Sequence, residues 1–260
     1  MVNRWMGWVL LVVAGAGLSG CTGRAVERFT LEVDLPAHFG LVGDASYTPA
    51  PGETCKLPRR HGKRPDLKIF KAASKPVANR VSFEVPLTER VEGCSLMLRK
   101  LVFAINAKWG ERWSDVGRDY AAVYIRDSWE TEMSLMADTR VQDLPGQCQW
   151  LFRTIGPQHA LIKVLRCNSL SPGGQPTKAR AGGYVSRNGL PGKTVRMVLA
   201  LTEEEQPAVG DNWVKVAGGW KRCRGESQED IFAFCRGNVS DFKAFKMPDG
   251  RLCGIYPTCD

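Results

Sequence analysis

The sequence predicts a mostly-β chain of two disulfide-stapled, β-sandwich-like lobes with little helix. Three observations carry that expectation. Alternating apolar and polar runs of strand length recur from Phe29 onward. No long stretch shows the 3.6-residue period of a helix. Of nine cysteines, eight remain once Cys21 is assigned to a leader, an even set suited to disulfides.

The elements follow in order. Phe29-Thr30-Leu31-Glu32-Val33-Asp34-Leu35 alternates with the period of a half-buried strand. Residues 36–80 are rich in Pro, Gly, Lys and Arg and read mostly as loop, with a short strand at Leu67-Lys68-Ile69-Phe70. Val81 to Val85 alternates again, Leu96 to Ala107 is apolar enough for a central strand or strand pair, and Ala121 to Ile125 continues the pattern. Asp127 to Asp138 is the one candidate for a short helix. Leu144-Pro145-Gly146 is a turn signal and the expected lobe boundary. Cys148 to Ile155 and Ala160 to Cys167 flank Gly156-Pro157 as a hairpin, with a cysteine at each open end. Residues 171–183 read as a flexible loop, and Thr194 to Leu201 as the best strand of this half. Short apolar pieces follow at Trp213 to Val216, Ile231 to Cys235 and Phe242 to Phe245. The expected units are a leader (1–20), a tether (21–28), an N-terminal β lobe (29–143) and a disulfide-rich C-terminal lobe (144–260).

The leader rests on its own pattern. Arg4 is followed by an apolar run from Trp8 to Leu18, long enough for a signal peptide and too short for a membrane span. Leu18-Ser19-Gly20-Cys21 resembles the substrates of lipoprotein signal peptidase, which implies cleavage before Cys21 and its acylation. An ordinary secretory signal and a retained helix are the competing readings. Two or more acyl chains at one site anchor stably where one does not. Asp after the lipidated cysteine favours inner-membrane retention in enteric-type sorting. Thr22 stands there, which points to the inner leaflet of the outer membrane, facing the periplasm. Loss of residues 1–20 removes Arg4 from a chain of net charge +9, leaving +8. That charge favours anionic surfaces, and the compartment excludes nucleic acid as partner. The tight basic cluster Arg59-Arg60-His61-Gly62-Lys63-Arg64 is either a solvated loop or part of such a contact.

Eight cysteines allow 105 connectivities. Sequence proximity favours Cys55–Cys94, Cys148–Cys167, Cys223–Cys235 and Cys253–Cys259. A zinc site is the rival, but no Cys-x-x-Cys occurs and the three histidines lie far apart. No metal or cofactor is expected.

Catalytic patterns fail on inspection. There is no Gly-x-Ser-x-Gly elbow. Gly189 to Thr194 has the tail of a phosphate-binding loop, but Arg187 stands where a Walker A motif needs Gly. His61-x-Lys63 starts a phospholipase D motif whose Asp is replaced by Lys68. Nothing places Asp115, Asp119 or Glu203-Glu204-Glu205 as an acid–base pair. The expectation is a binding protein, not an enzyme, and a monomer when free. Trp109, Glu111, Arg112 and Trp113 form one aromatic, charged loop, and Trp213 and Trp220 form a second such region. Trp and Arg are the residues most enriched at interface hot spots. For any single Trp, packing on a disulfide or over a sheet end is the competing role.

Several strings then carry a resemblance: Val91-Glu92-Gly93-Cys94, WGERWSDVGRDYA (109–121) with Ile125-Arg126-Asp127, LPGKTVRMVLAL (190–201), Gly218 to Cys223, and PDGRLCGIYPTC (248–259). Together they resemble the small periplasmic lipoproteins associated with type VI secretion lipase effectors, above all the immunity proteins against phospholipase D effectors. The resemblance spans roughly residues 80–260. It implies a stoichiometric inhibitor that binds an incoming phospholipase effector and blocks its active-site entrance. A plug for a phosphate-binding site is expected to be acidic or aromatic, which singles out Glu203, Glu204 and Glu205 together with Trp109 and Trp113. A structural or assembly lipoprotein of an envelope machine is the alternative.

Overall fold

The computed structural model describes residues 26–56, 67–127, 140–226, 230 and 232–260. In chain order the first strands are β1 (Arg28–Leu35), β2 (Phe39–Pro49), β3 (Leu67–Ala72), β4 (Asn79–Pro86), β5 (Thr88–Val91) and β6 (Cys94–Lys108). Next come β7 (Val116–Arg126), β8 (Val141–Ile155), β9 (Ala160–Leu170), β10 (Pro176–Arg180), β11 (Gly182–Ser186) and β12 (Thr194–Leu201). The C-terminal strands are short: β13 (Gln206–Pro207), β14 (Trp213–Val216), β15 (Gly219–Arg222), β16 (Phe245–Lys246), β17 (Leu252–Cys253) and β18 (Tyr256–Pro257). One 3-10 turn, Arg187–Gly189, is the helical element among the described residues. The chain is thus mostly β, in several sheets. Its four disulfides are Cys55–Cys94, Cys148–Cys167, Cys223–Cys235 and Cys253–Cys259.

The nine-stranded sheet has the order β17-β16-β9-β8-β12-β1-β4, with β10 on β9 and β13 on β8. A six-stranded sheet has the order β11-β7-β6-β2-β3, with β5 on β6. Their inward faces share one core: Leu31, Val33, Val195 and Met197 from the first meet Leu41, Phe103, Ile105 and Val123 from the second, all fully buried. Tyr47 crosses this core to donate its hydroxyl to the Pro86 carbonyl at 2.8 Å.

Two residues tie the sheets together through their backbones. The Leu87 N–H donates to the Glu27 carbonyl (2.8 Å) beside β1, while its own carbonyl accepts from Leu98 of β6 (2.9 Å). The Ala181 N–H donates to Cys167 of β9 (3.0 Å), while its carbonyl accepts from Ala122 of β7 (3.0 Å). At both places the chain leaves one sheet and enters the other: β4 runs into β5, and β10 into β11. Gly182, next to Ala181, takes φ +105°, and a Cβ there would lie 2.0 Å from the Ala122 carbonyl oxygen. Only glycine fits that corner.

Several expectations need correction. Residues 36–80 read mostly as loop, yet they contain β2, which is eleven residues long. Its inward positions include Gly43, against which the Phe103 ring packs, and Ala45. Such small residues weaken the apolar alternation that marks a strand. Residues 171–183 contain β10 and the Ala181 crossing instead of a flexible loop. Leu144-Pro145-Gly146 lies inside β8, not at a lobe boundary. The ladder to β9 stops at Gly146↔Ser169, so Pro145 faces a neighbour only in β12, where a missing N–H is tolerated. A Cβ on Gly146 would stand 3.1 Å from both Ala181 and Leu199, so this glycine permits close packing. Strands from both sides of residue 144 share one sheet and one core, β1 pairing in parallel with β12. Of the 127–138 helix candidate and the Arg59–Arg64 cluster, only Asp127 lies within the described residues.

A second core marks a smaller unit later in the chain. Phe152 and Leu161 of the β8–β9 hairpin pack with Trp213, Phe245, Cys253 and Tyr256. A three-stranded sheet, β14-β15-β18, contributes Trp213 and Tyr256 to it, with Trp220 packed alongside. Arg222, the largest fully buried side chain, joins this unit to β8. Its Nε donates to Thr154 Oγ1 at 2.8 Å, and its terminal nitrogens donate to the carbonyls of Cys223 (3.2 Å) and Asp230 (3.4 Å). Burial pushes its pKa down and the Asp230 charge opposes this. The guanidinium remains a cation, because arginine's ordinary value lies so far above neutrality.

Two expectations follow for stability. Gly182→Ala should destabilise the chain by about 1–3 kcal/mol, from the positive φ and the carbonyl clash. Denaturant unfolding should show a lower midpoint with an unchanged slope. Arg222→Met should cost about 2–4 kcal/mol, because two buried acceptors and one part-buried one lose their donor. An unaltered melting temperature would show that the guanidinium adds nothing to the junction.

Candidate functional site

Between β6 and β7 the chain makes a short loop over residues 109–115, and its conformation is set by one carboxylate. Asp115 is 2% exposed. It accepts from the Arg112 N–H (3.1 Å) and from Arg112 Nε (2.9 Å), with Arg112 Nη2 also 2.8 Å away. The Trp109 N–H donates to the Asp115 carbonyl at 3.0 Å, and the Asp115 N–H to the Arg112 carbonyl at 3.1 Å. Gly110 leaves room for the carboxylate: a Cβ there would meet Asp115 Oδ2 at 2.4 Å. Burial alone would raise the Asp115 pKa. The hydrogen bonds and charge of Arg112 outweigh it and hold the carboxyl below its usual range.

This staple presents Trp113 to solvent. Its side chain is 92% exposed, the most exposed large apolar residue of the described chain. Glu111 and Arg112 flank it and are also exposed. Trp109 instead turns inward and packs against the main core.

Beside the loop lies a cleft of about 620 Å³, continuous with a second depression of about 390 Å³. Trp109 and Arg112 form one wall, Leu161 and Lys163 the floor, and Met247 and Pro248 the other wall. Lys163 is fixed: its Nζ donates to Glu205 Oε1 at 2.5 Å and lies 5.8 Å from the Trp109 ring and 5.7 Å from the Tyr256 ring. The Tyr256 hydroxyl donates to the other Glu205 oxygen. Burial, reinforced by that carboxylate, pushes the Tyr256 phenol well above its ordinary pKa. The base of the cleft is fixed by this internal ion pairing, and Trp109, Leu161, Met247 and Pro248 supply its apolar lining. Such a surface receives a protruding apolar side chain or loop.

The structure brings Trp109, Glu111, Arg112, Trp113 and Glu205 to one end of the molecule. Glu205 is spent on Lys163 and Tyr256, whereas Glu203 and Glu204 stay exposed, with Glu204 3.8 Å from Lys215. Trp213 is core, not partner surface. It is 6% exposed and packs edge-on against Phe152 (5.0 Å) and Phe245 (5.2 Å). Trp220 is half-buried, 6.0 Å from the Phe152 ring, with Lys215 above it. Lys163, Met247 and Tyr256 escaped the sequence reading, since nothing local distinguishes them from ordinary strand and turn residues. Among the described residues one grouping has metal-ligand proximity, Glu53 with Cys55 and Cys94, and its sulfurs form a disulfide instead of thiolates. Cys21 lies outside the described residues.

The position of the site relative to the chain start follows from the sheet. β1, β12 and β8 run parallel, with Thr30 level with Thr194 and Thr194 level with Val141. β8 then continues to Ile155 at the cleft, roughly 45 Å further at ~3.3 Å per residue. The cleft therefore stands at the end opposite Arg28. The chain matches no protein-family model, no curated protein and no solved structure.

The loop has a pH signature. A carboxyl with a lowered folded-state pKa adds stability that is full above its unfolded value and is lost as pH falls through the folded one. Asp115 behaves this way through Arg112, as do Asp34 through Arg80 and Asp127 through Arg187 and Arg99. Melting temperature should hold from neutral pH down to about pH 4 and fall below it. Asp115→Asn should lower the neutral-pH value and flatten the acid limb. An acid limb unchanged by this substitution would show that the staple carries no stability.

Proposed function

We propose that this chain is a non-enzymatic periplasmic lipoprotein that binds a type VI secretion phospholipase effector and inhibits it by blocking its active-site entrance. The observation that carries the reading is Trp113, 92% exposed at the tip of a loop held rigid by the buried Asp115. Leaving a tryptophan in water is unfavourable for a free protein, and a preorganised aromatic tip is what a tight inhibitor needs. The sequence resemblance to immunity lipoproteins covers this loop and the 248–259 wall of the cleft.

The arrangement suits an anchored inhibitor. Acylation at Cys21 places the lipid a few residues before β1, while the Trp113 loop and cleft occupy the far end. The loop is then free to meet an effector arriving at the membrane, at a local concentration raised by the anchor. Four disulfides resist unfolding before the effector arrives, each by about 2–4 kcal/mol in favourable cases. Trp113 is the candidate plug, and the exposed Glu203 and Glu204 are the acidic alternative.

The test is a pull-down of secreted and type VI-associated phospholipases by residues 22–260, exported and disulfide-bonded, followed by a phospholipase assay. One-to-one capture with loss of lipase activity is expected. Trp113→Ala should weaken capture by about 30-fold or more, the scale of a hot-spot residue, with an unchanged melting temperature. Capture of envelope-machine components with no effect on the lipase would move the protein to the structural class.

A further inference from the structure

The outward face of the six-stranded sheet is unlike an ordinary solvated surface. Its paired positions place Lys100 beside Tyr124, Asn106 beside Arg118, and Tyr124 beside Tyr184. Tyr120, Tyr124 and Tyr184 are 40%, 41% and 41% exposed. Tyr124 and Tyr184 stack at 5.2 Å. Arg126 lies 4.4 Å over the Tyr184 ring and Arg180 lies 5.3 Å over the Tyr120 ring, so guanidinium groups and phenols share one level. Arg118 bonds a neutral acceptor, Asn106 Oδ1, at 2.8 Å. Further across, Val42 (44% exposed) and Ile69 (57%) add apolar surface. Among the outward positions of these strands Asp44 is the acidic residue, set against Lys71, Lys100, Arg118 and Arg126 with Arg180 at the margin.

We infer that this face docks on an anionic lipid bilayer. The charge balance selects a negative partner. Tyrosine with long cationic side chains is the mixture that settles at a headgroup boundary, rings in the interface and charges at the phosphates. Five strands at ~4.8 Å spacing give a face about 20 Å wide, a broad platform distinct from the cleft and the Trp113 loop. Among the described residues no helix is long and apolar enough to cross a membrane, and this contact is peripheral. It goes beyond the inhibitor reading and does not depend on it. On an anchored chain it would hold the molecule along the surface, with the Trp113 loop at the level where a phospholipase works.

The experiment uses residues 21–260 with Cys21→Ser, so that no acyl chain contributes. Sedimentation is measured with vesicles of equal parts phosphatidylglycerol and phosphatidylcholine, and with phosphatidylcholine alone. Binding to the anionic vesicles only, weakening as salt rises, is expected. The triple variant Lys100→Gln, Arg118→Gln, Arg180→Gln should lose roughly fivefold in partitioning per cation removed. Circular dichroism checks its fold, and the salt series on the unaltered face stands if that variant fails to fold. A control neutralising Arg166, Lys215 and Arg224, exposed on other surfaces, should retain binding, as should Trp113→Ala. Equal loss in the control would show attraction by net charge alone and overturn the assignment, as would absence of anionic-vesicle binding. If the triple variant instead loses capture of the lipase, the face belongs to a protein interface. Failure of Trp113→Ala to affect lipase capture would count against the inhibitor reading and leave the bilayer assignment standing.

Discussion

The sandwich depends on two residues whose backbone groups are divided between its sheets. Leu87 and Ala181 each donate to one sheet and accept from the other, and both are almost wholly buried. A buried peptide group must be paired. These groups can be paired only while both sheets are present and in register, so neither sheet edge is complete alone. The crossings also exempt the chain from leaving long open edges along these sides.

The cleft end inherits its rigidity from that closure. β7 is held to β9 by the Cys167 N–H donating to Asp119 Oδ2 at 2.6 Å, and Gly117 lets β7 approach Trp150 and Leu165. Cys167 uses its N–H on Asp119, its carbonyl on Ala181 and its sulfur on Cys148. The loop carrying Trp113 thus springs from two strands fixed on both sides. The opposite wall of the cleft belongs to the small C-terminal unit, fastened by Arg222 and by the aromatic cluster around Phe152. The site is a junction between two cores, a common place for recognition surfaces.

The polar groups near the cleft follow one logic. Asp115 is satisfied by Arg112, and Glu205 by Lys163 and Tyr256, so these two carboxylates are oriented by internal partners. A visitor would meet Trp109, Met247 and Pro248 in the cleft and the exposed Trp113 beside it, with Glu111 at the margin. Prepaid orientation reduces the entropy lost on binding. The sheet face is organised differently, with arginines lying over tyrosines, and suits a diffuse negative surface better than a shaped anchor.

Alternation was enough to place β1, β4, the cores of β6 and β7, the β8–β9 hairpin and β12, because each carries its own inward-facing large residues. Cysteine parity and proximity were enough for all four disulfides, since each joins cysteines consecutive in the sequence. The loop 109–115 was legible as aromatic and charged from its own residues. Which of its tryptophans is offered to solvent was not: Trp109 and Trp113 differ only in where the Asp115–Arg112 staple points them. Nor could local sequence show that Trp213 is core, that Glu205 serves Tyr256, or that residue 144 lies mid-strand. Those facts arise from pairings between segments far apart in the chain, β1 with β12 and Arg222 with Thr154, which no local period encodes. The class of structure and the covalent framework are written in local patterns along the chain. The core shared by the two large sheets, the later division at the C-terminal unit and the face each tryptophan presents come from packing, because burial is settled by what meets a residue from elsewhere in the chain.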